Sequence, residues 1–229
     1  SKDCPVSDSE NSCGTNTKGD PHFATWRGEK FDYHGECDLE LVSDPQFHNG
    51  KGLDIHIRTT IVDDWSFVEA VAIKIGDDIL EVHGSQEDTP YWLNGEYQAP
   101  ISSLGGFEVK HKSKGIKQRF FIFLESHSTI EIRSSSMGWV RVDIKHPKYE
   151  TFRNTVGMFG DFGLGRKLGR DGATLFVDDN EYGQEWQVPA DASRLFREAR
   201  APQAPALCVL PQDKSMNAAA TSQLLRGRR

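Results

Sequence analysis

Short runs in which apolar and polar residues alternate recur along most of the chain. The clearest are residues 53–59 (LDIHIRT) and 71–75 (VAIKI). Such alternation places one face of a β-strand in a core and the other face in water. Strands are therefore predicted at these two positions and at residues 39–42, 79–82, 107–110, 120–124, 130–133 and 139–144.

The segments between these strands predict the fold class. They are rich in Gly, Asn, Asp and Ser, and none contains the long helix that a parallel crossover requires. Short strands separated by such turns are typical of sandwiches and barrels. We therefore expect an all-β fold, an antiparallel β-sandwich of two packed sheets.

The remaining segments complete the expected organisation. Residues 1–18 are expected to form an irregular leader, residues 19–208 a single domain, and residues 209–229 a disordered tail with a basic end. Residues 154–180 are rich in Gly and Asp, which predicts a long ordered loop of the kind often used for function or for metal. Asp191 and Ser193 are candidate caps for one short C-terminal helix that continues to Arg200.

Composition narrows the function classes. The chain is 37% hydrophobic and 27% charged, as in ordinary globular proteins, and its formal net charge is -7. No run of about 18 apolar residues occurs, so no membrane span is expected. Basic residues are scattered along the sequence except at its C-terminus, and the acidic balance argues against a nucleic-acid partner. The motifs of common hydrolases, metalloproteases and nucleotide-dependent enzymes are missing, which predicts a protein that is not an enzyme.

The four cysteines are Cys4, Cys13, Cys37 and Cys208. No C-x-x-C pair occurs, so their spacing matches no zinc site, and disulfide bonds fit better. Disulfides imply an oxidising compartment, which predicts a secreted protein or one in the secretory-pathway lumen. The residues alone leave all three connectivities open. The C-terminal residues 226–229 (RGRR) have two interpretations, a processing site of a larger precursor or part of a disordered basic tail.

The most specific strings lie near the two ends of the expected domain. Residues 19–22 are GDPH, followed by residues 31–37 (FDYHGEC). Residues 156–162 are VGMFGDF, and residues 185–188 are EWQV. In this order the strings resemble the signatures of the von Willebrand factor type D domain, and most closely the cysteine-poor GDPH-type version in secreted adhesive proteins of microalgae. The resemblance spans residues 13 to 208, and it implies that residues 19–208 are a domain of this type.

The resemblance also implies a disulfide pairing. The G-x-C cysteine of the family, here Cys37, pairs with a cysteine beyond the W-x-V strand, here Cys208. Cys4 and Cys13 are then left to pair with each other, and the alternative is that one of them forms an interchain bond. Val156 and Phe159 stand where the family has cysteines, so those bridges cannot form here.

Relatives often hold a calcium ion between an N-terminal aspartate and the glycine- and acid-rich loop. Arg27 replaces that aspartate here, and a guanidinium beside a divalent cation is electrostatically unfavourable. We therefore expect that no cofactor is required and that an Arg27–Asp161 salt bridge replaces the metal. The competing hypothesis is a calcium ion held by Asp161, Asp171 and backbone carbonyls.

The Asp20–Pro21 bond carries a second expectation from the resemblance. In some gel-forming relatives this bond breaks without an enzyme at mildly acidic pH, and the resulting anhydride crosslinks chains. His22 is next to the bond and is a candidate proton donor. The simpler interpretation is a turn with Pro at its second position.

Together these observations predict a non-catalytic structural or adhesive module that acts in extracellular assembly. Its expected partners are other extracellular proteins or copies of itself. One alternative is a carbohydrate- or protein-binding module that uses exposed aromatic residues, because the five tryptophans could either line a sugar-binding face or fill the core. The other alternative is a self-cleaving, crosslinking domain at Asp20–Pro21. The tryptophans are Trp26, Trp65, Trp92, Trp139 and Trp186.

Overall fold

Two antiparallel sheets account for most of the computed structural model, which describes residues 14–17, 21–62, 65–189, 192 and 195–199. Within these residues, eight strands form the first sheet and six form the second. In spatial order the first sheet contains β10 (Ser103–Leu104), β11 (Phe107–Lys114), β12 (Lys117–Phe123), β13 (Thr129–Ser134), β14 (Val140–Lys145), β1 (Gly14–Thr17), β2 (His22–Ala24) and β3 (Lys30–Asp32). The second contains β4 (Asp38–Asp44), β5 (Leu53–Val62), β6 (Trp65–Ile75), β7 (Asp78–His83), β8 (Tyr91–Leu93) and β9 (Glu96–Tyr97).

Short helical segments lie between strands or follow the last strand. They are α1 (Phe47–Gly50), α2 (Tyr149–Phe152), α3 (Asp179–Glu185) and a 3-10 turn at Glu125–His127. Among the helices of the described residues, none has the length and apolar character that crossing a bilayer would require.

The expected antiparallel sandwich is confirmed, and each strand predicted from alternation is present. The inward residues of the two sheets are fully buried against each other, and burying one such side chain contributes about 1.5–3 kcal/mol. From the first sheet these include Phe120, Ile122, Ile130, Ile132 and Val142, and from the second Leu53, Ile55, Ile57, Val71 and Ile73.

The expectation of an irregular leader is wrong for residues 14–17, because these residues form strand β1. This strand lies between β14 and β2 and pairs with both. Thr15 and Thr17 are buried, so this segment contributes a face to the core although its polar sequence gives no apolar alternation.

The short C-terminal helix is present, but it lies earlier than expected, at α3. The Asp178 side chain accepts hydrogen bonds from the amides of Asn180 and Glu181 (2.8 and 2.9 Å), which satisfies free donors at the helix start. Residues 195–199 contain no helix. Asp191, Ser193, Arg200 and the expected tail at residues 209–229 lie outside the described residues.

Residues 195–199 pack on the outer side of the second sheet. Phe196 is buried, and the guanidinium carbon of Arg58 lies 4.4 Å from the centre of its ring. Arg58 forms a two-pronged pair with Asp38 (2.7 and 2.9 Å) and also donates to the Glu198 carbonyl (3.0 Å). The chain near residue 198 is therefore held beside the start of β4.

The loop that begins near residue 154 is fixed against the edge strand β4. Val156 and Ser43 exchange two backbone hydrogen bonds of 2.8 and 2.9 Å, and the Met158 amide donates to Glu40 (3.0 Å). Gly157, with φ of 127°, passes so close to β4 that an added Cβ would lie 2.3 Å from the Leu41 carbonyl oxygen. Glycine is required at this crossing because any side chain would collide with backbone.

Candidate functional site

His22 lies beside the Asp20–Pro21 bond, at the start of β2, and is paired directly across from Asp32 of β3. The imidazole Nδ1 lies 2.5 Å from Asp32 Oδ1, and both side chains are about half exposed. Pro21 is buried and its carbonyl accepts a hydrogen bond from the Tyr33 amide. Asp20 lies outside the described residues. The hairpin thus holds an imidazole in a fixed orientation one residue from Pro21.

In the described part of the chain, Arg27 and Asp161 do not form the expected salt bridge, and each of them binds other groups. Arg27 donates from Nε (3.1 Å) and Nη2 (2.8 Å) to the Gly163 carbonyl. Asp161 instead accepts from the backbone amides of Leu164 and Arg166 and forms an ion pair with Arg166 Nη2 (3.5 Å). The Asp161 carboxylate is turned into its own loop, because the loop amides that follow it within five residues are its nearest donors. Arg27 still fixes the loop, but through a carbonyl group.

Asp171 is also engaged within its own turn. Its carboxylate accepts hydrogen bonds from Thr174 Oγ1 (2.6 Å), the Thr174 amide (2.8 Å) and the Ala173 amide (2.9 Å). These bonds lower the pKa of the exposed Asp171 carboxyl to about 2. Within the described residues, no group of three or more His, Cys, Asp or Glu side chains is arranged to hold a metal. Calcium binding by Asp161 and Asp171 stays an alternative for experiment.

Cys37 is buried, and its sulfur takes part in a disulfide bond. Its amide donates to Thr59 Oγ1 at 3.0 Å. Cys4, Cys13 and Cys208 lie outside the described residues, so the Cys37–Cys208 pairing stays a prediction. The contact between Arg58 and Glu198 brings the C-terminal part of the domain next to Asp38, the residue that follows Cys37.

The tryptophans do not form one sugar-binding face. Trp26 and Trp186 are 1% exposed and belong to the core. Trp92 is covered by the Arg197 guanidinium, 3.7 Å from the ring centre. Trp139 is partly buried and stacks on Phe67, with ring centres 4.0 Å apart. The Trp65 side chain lies outside the described residues.

The outward side of β11–β14 carries a feature that sequence reasoning missed, which we call the cationic face. Eight basic side chains of these four strands lie on it, against three acidic ones, Glu108, Glu131 and Asp143. The face therefore has an excess of five positive charges on a chain whose net charge is -7. The eight are Lys110, Lys112, Lys114, Lys117, Arg119, Arg133, Arg141 and Lys145.

Strand register places four of these cations in line across the sheet. Lys112 is directly opposite Arg119, Arg119 opposite Arg133, and Arg133 opposite Arg141. We call these four residues the cationic row. Like charges in directly opposite positions destabilise a sheet, so the row requires compensation.

Two carboxylates beside the row supply that compensation. Glu131 is 0% exposed and forms ion pairs with Arg119, with Arg133 (3.2 Å) and with Lys145 (2.5 Å). Asp143 is 5% exposed and binds Arg133 (2.7 Å) and Arg141 (2.5 Å). The guanidinium and ammonium groups above them keep 33–45% of their side-chain area exposed. Buried acids thus hold a layer of accessible cations in place.

Two phenyl rings of β12 complete the cationic face. Phe121 and Phe123 are partly buried, and their ring centres lie 6.3 Å apart in a stacked orientation. Lys110 Nζ lies 4.9 Å from the Phe123 centroid, and the Arg119 guanidinium carbon lies 4.8 Å from that of Phe121. The rings therefore support the cations above them by cation–π attraction.

The fold defines an antiparallel β-sandwich with one cationic sheet face. No model of a known protein family and no curated protein matches this chain. The likeness to the von Willebrand factor type D domain therefore depends on its short motifs alone.

Proposed function

We propose that this chain is a non-catalytic adhesive module of extracellular assemblies, and that the cationic face is the surface that holds its partner. The observation that carries the proposal is the cationic row and the two buried carboxylates beneath it. The disulfide at Cys37 supports an oxidising, extracellular setting.

The rigidity of the face supports a role in binding. Each arginine of the row is tied to Glu131 or Asp143, so its side chain is ordered before any partner arrives. Ordering a long side chain on binding costs about 0.5–1.5 kcal/mol, and a preordered surface avoids much of that cost.

The charge distribution supports an anionic partner. The cationic face is strongly positive, while the chain as a whole is acidic. Such an asymmetry steers and orients a negatively charged partner toward one side of the molecule. The same asymmetry allows the cationic face of one copy to attract a second copy, whose net charge is -7.

Adsorption to charged surfaces tests this proposal. The chain is expected to adhere to a carboxylate-terminated surface in a quartz-crystal microbalance at low salt, despite its net negative charge. The double variant Lys110→Glu/Lys112→Glu is expected to lose this adhesion. Both residues are exposed on β11 and neither contacts the buried acids.

A matched control changes the same charge elsewhere. Lys74 lies on the outer side of the second sheet, and Lys148 precedes α2. The variant Lys74→Glu/Lys148→Glu is expected to adhere as the unmodified chain does. Equal losses in both double variants, or stronger adhesion to an amine-terminated surface, would contradict the proposal.

A second candidate function is self-cleavage at Asp20–Pro21, which the His22–Asp32 pair favours. In this reaction a carboxylate oxygen of Asp20 attacks its own carbonyl carbon. The bond to the Pro21 nitrogen breaks as that nitrogen takes a proton, with His22 as the donor, and water or a nucleophile of another chain opens the anhydride.

Mass spectrometry after incubation at mildly acidic pH tests this candidate. A fragment that begins at Pro21 is expected, with slower formation in the Asp32→Asn variant, which loses the carboxylate that orients the imidazole. Asp44–Pro45 is an internal control because it has the same bond outside a GDPH motif. Equal cleavage at both bonds, or at neither, would exclude the self-cleavage function.

A further inference from the structure

We propose that the cationic row binds a linear acidic polysaccharide, one with a sulfate or carboxylate on its successive sugar units, laid across strands β11–β14. This inference rests on the proposed function and names the partner of the same face. It depends on the spacing of the row, on the chemistry of its side chains, and on the cover over the two phenyl rings.

The spacing of the row fits a sugar chain. Neighbouring strands lie about 4.8 Å apart, so four cations in register present a positive group at each such step across about 14 Å. One pyranose unit of a linear polysaccharide advances the chain by a similar distance, so a polysaccharide that turns the charged groups of successive units to the same side matches the row. An extended peptide repeats its side chains on one side only every about 6.8 Å, which does not match the row.

Three of the four cations are arginines: Arg119, Arg133 and Arg141. A guanidinium has five N–H donors in a planar fork that matches carboxylate and sulfate oxygens. The bonds to Glu131 and Asp143 use only part of these donors: one hydrogen bond comes from Arg119 Nε, one from Arg133 Nη2, and those of Arg141 come from Nε and Nη2. The remaining donors belong to side chains that are about a third to a half exposed.

The phenyl rings argue against single-stranded nucleic acid as the ligand. Proteins that bind single strands offer bare aromatic rings on which bases stack. Here Lys110 lies over Phe123, while Lys112 and Arg119 lie over Phe121. A ligand therefore meets cations before it meets rings, as expected for a surface that recognises charge.

Isothermal titration calorimetry of the full chain tests the inference with five probes. Dextran sulfate and polygalacturonate represent sulfated and carboxylated polysaccharides, and neutral dextran lacks charge. Polyglutamate and oligothymidylate represent acidic peptide and single-stranded nucleic acid. Binding of at least one acidic polysaccharide is expected, weakened by salt and tighter than the binding of polyglutamate or oligothymidylate.

Two neighbouring lysines provide a matched pair of variants. Lys112 is in the row, whereas Lys114 lies on the same strand and the same face but outside it, and both are exposed. The Lys112→Gln variant is expected to weaken polysaccharide binding about fivefold, and Lys114→Gln less than twofold. Equal weakening of polysaccharide binding by the two substitutions would contradict the proposal that the cationic row is the binding element.

The outcomes separate the two proposals. Adhesion that depends on Lys110 and Lys112, together with no binding of either acidic polysaccharide, would overturn this inference and leave the proposed function standing. Tighter binding of polyglutamate or oligothymidylate would also overturn it, and neutral dextran binding as well as dextran sulfate would exclude recognition of charge. If neither double variant loses adhesion, the proposed function itself is contradicted.

Discussion

Arg119 and Arg133 face each other across β12 and β13, and both form ion pairs with the same buried carboxylate, that of Glu131. Two like charges in opposite positions are thereby converted into a stable arrangement. The relationship makes Glu131 a structural requirement of the cationic face, because nothing else on β13 offers these guanidinium groups a buried negative charge.

The Glu131→Gln variant is expected to unfold more easily than the unmodified chain. Hydrogen bonds between charged partners are replaced by weaker ones, at a cost of about 2 kcal/mol in the free energy of unfolding at neutral pH. Urea denaturation measures this difference. Glu108→Gln is the control, since Glu108 is 61% exposed on the same face, and its effect is expected to stay within about 0.5 kcal/mol.

The same carboxylate predicts a pH dependence. Burial acts to raise the pKa of Glu131, but hydrogen bonds from Lys145 and Arg119 and the charge of Arg133 outweigh it and hold the pKa below the ordinary 4.5. Because folding lowers this pKa, the stabilisation is complete above pH 4.5 and is lost as the pH falls below it. The Glu131→Gln variant is expected to lose less stability over that acidic range, and parallel pH profiles for both proteins would refute the assignment.

Substitution by alanine is expected to destabilise the protein to different extents at Gly157 and at Gly172. At Gly157 an added methyl would lie 2.3 Å from the Leu41 carbonyl oxygen, so Gly157→Ala forces the loop away from β4. Gly172 also has a positive φ, of 69°, but nothing lies within 4 Å of its added Cβ. Gly172→Ala is expected to cost only about 1–2 kcal/mol of backbone strain, and Gly157→Ala clearly more. Thermal unfolding compares the two, and equal melting temperatures would show that the loop can leave β4 freely.

The disulfide prediction is tested by a non-reducing peptide map. Cys37 is expected in a peptide linked to Cys208, and Cys4 in one linked to Cys13. A covalent link across the domain restricts the unfolded chain, so reduction is expected to lower the free energy of unfolding by about 2–5 kcal/mol. A Cys37 peptide linked to Cys4 or Cys13 would contradict the pairing, and four free thiols would remove the argument for an extracellular setting.

Calcium is expected to leave the thermal stability unchanged. The carboxylates of Asp161 and Asp171 are each occupied by hydrogen bonds within their own turns, and a calcium ion needs six to eight oxygens around it. Differential scanning calorimetry with millimolar calcium or with a chelator checks this. A rise in melting temperature that the Asp161→Asn variant abolishes would favour the calcium alternative.

The sequence predicted the strands well but the site poorly, for a physical reason. Alternation along a strand is a local property. The sequence of residues 53–59 and 130–133 therefore predicted which side chains face inward and which face outward, without knowledge of the neighbouring strands. Arg27 could be placed near the long loop by motif comparison, but whether its guanidinium meets a carboxylate or a carbonyl depends on the loop's own hydrogen bonds. The Asp161 carboxylate accepts hydrogen bonds from the amides of Leu164 and Arg166, and no pattern in the sequence predicts these bonds.

By itself, the sequence determined the fold class and, wherever apolar and polar residues alternate, which side chains of a strand face outward, because both follow from the period of two in an extended chain. Only the tertiary structure decided that basic residues scattered over residues 110–145 form one surface. Their alignment is set by the register between strands, and register depends on turns and on core packing from distant segments. The cationic row exists because Lys112, Arg119, Arg133 and Arg141 meet in register, and because two carboxylates are buried beside them.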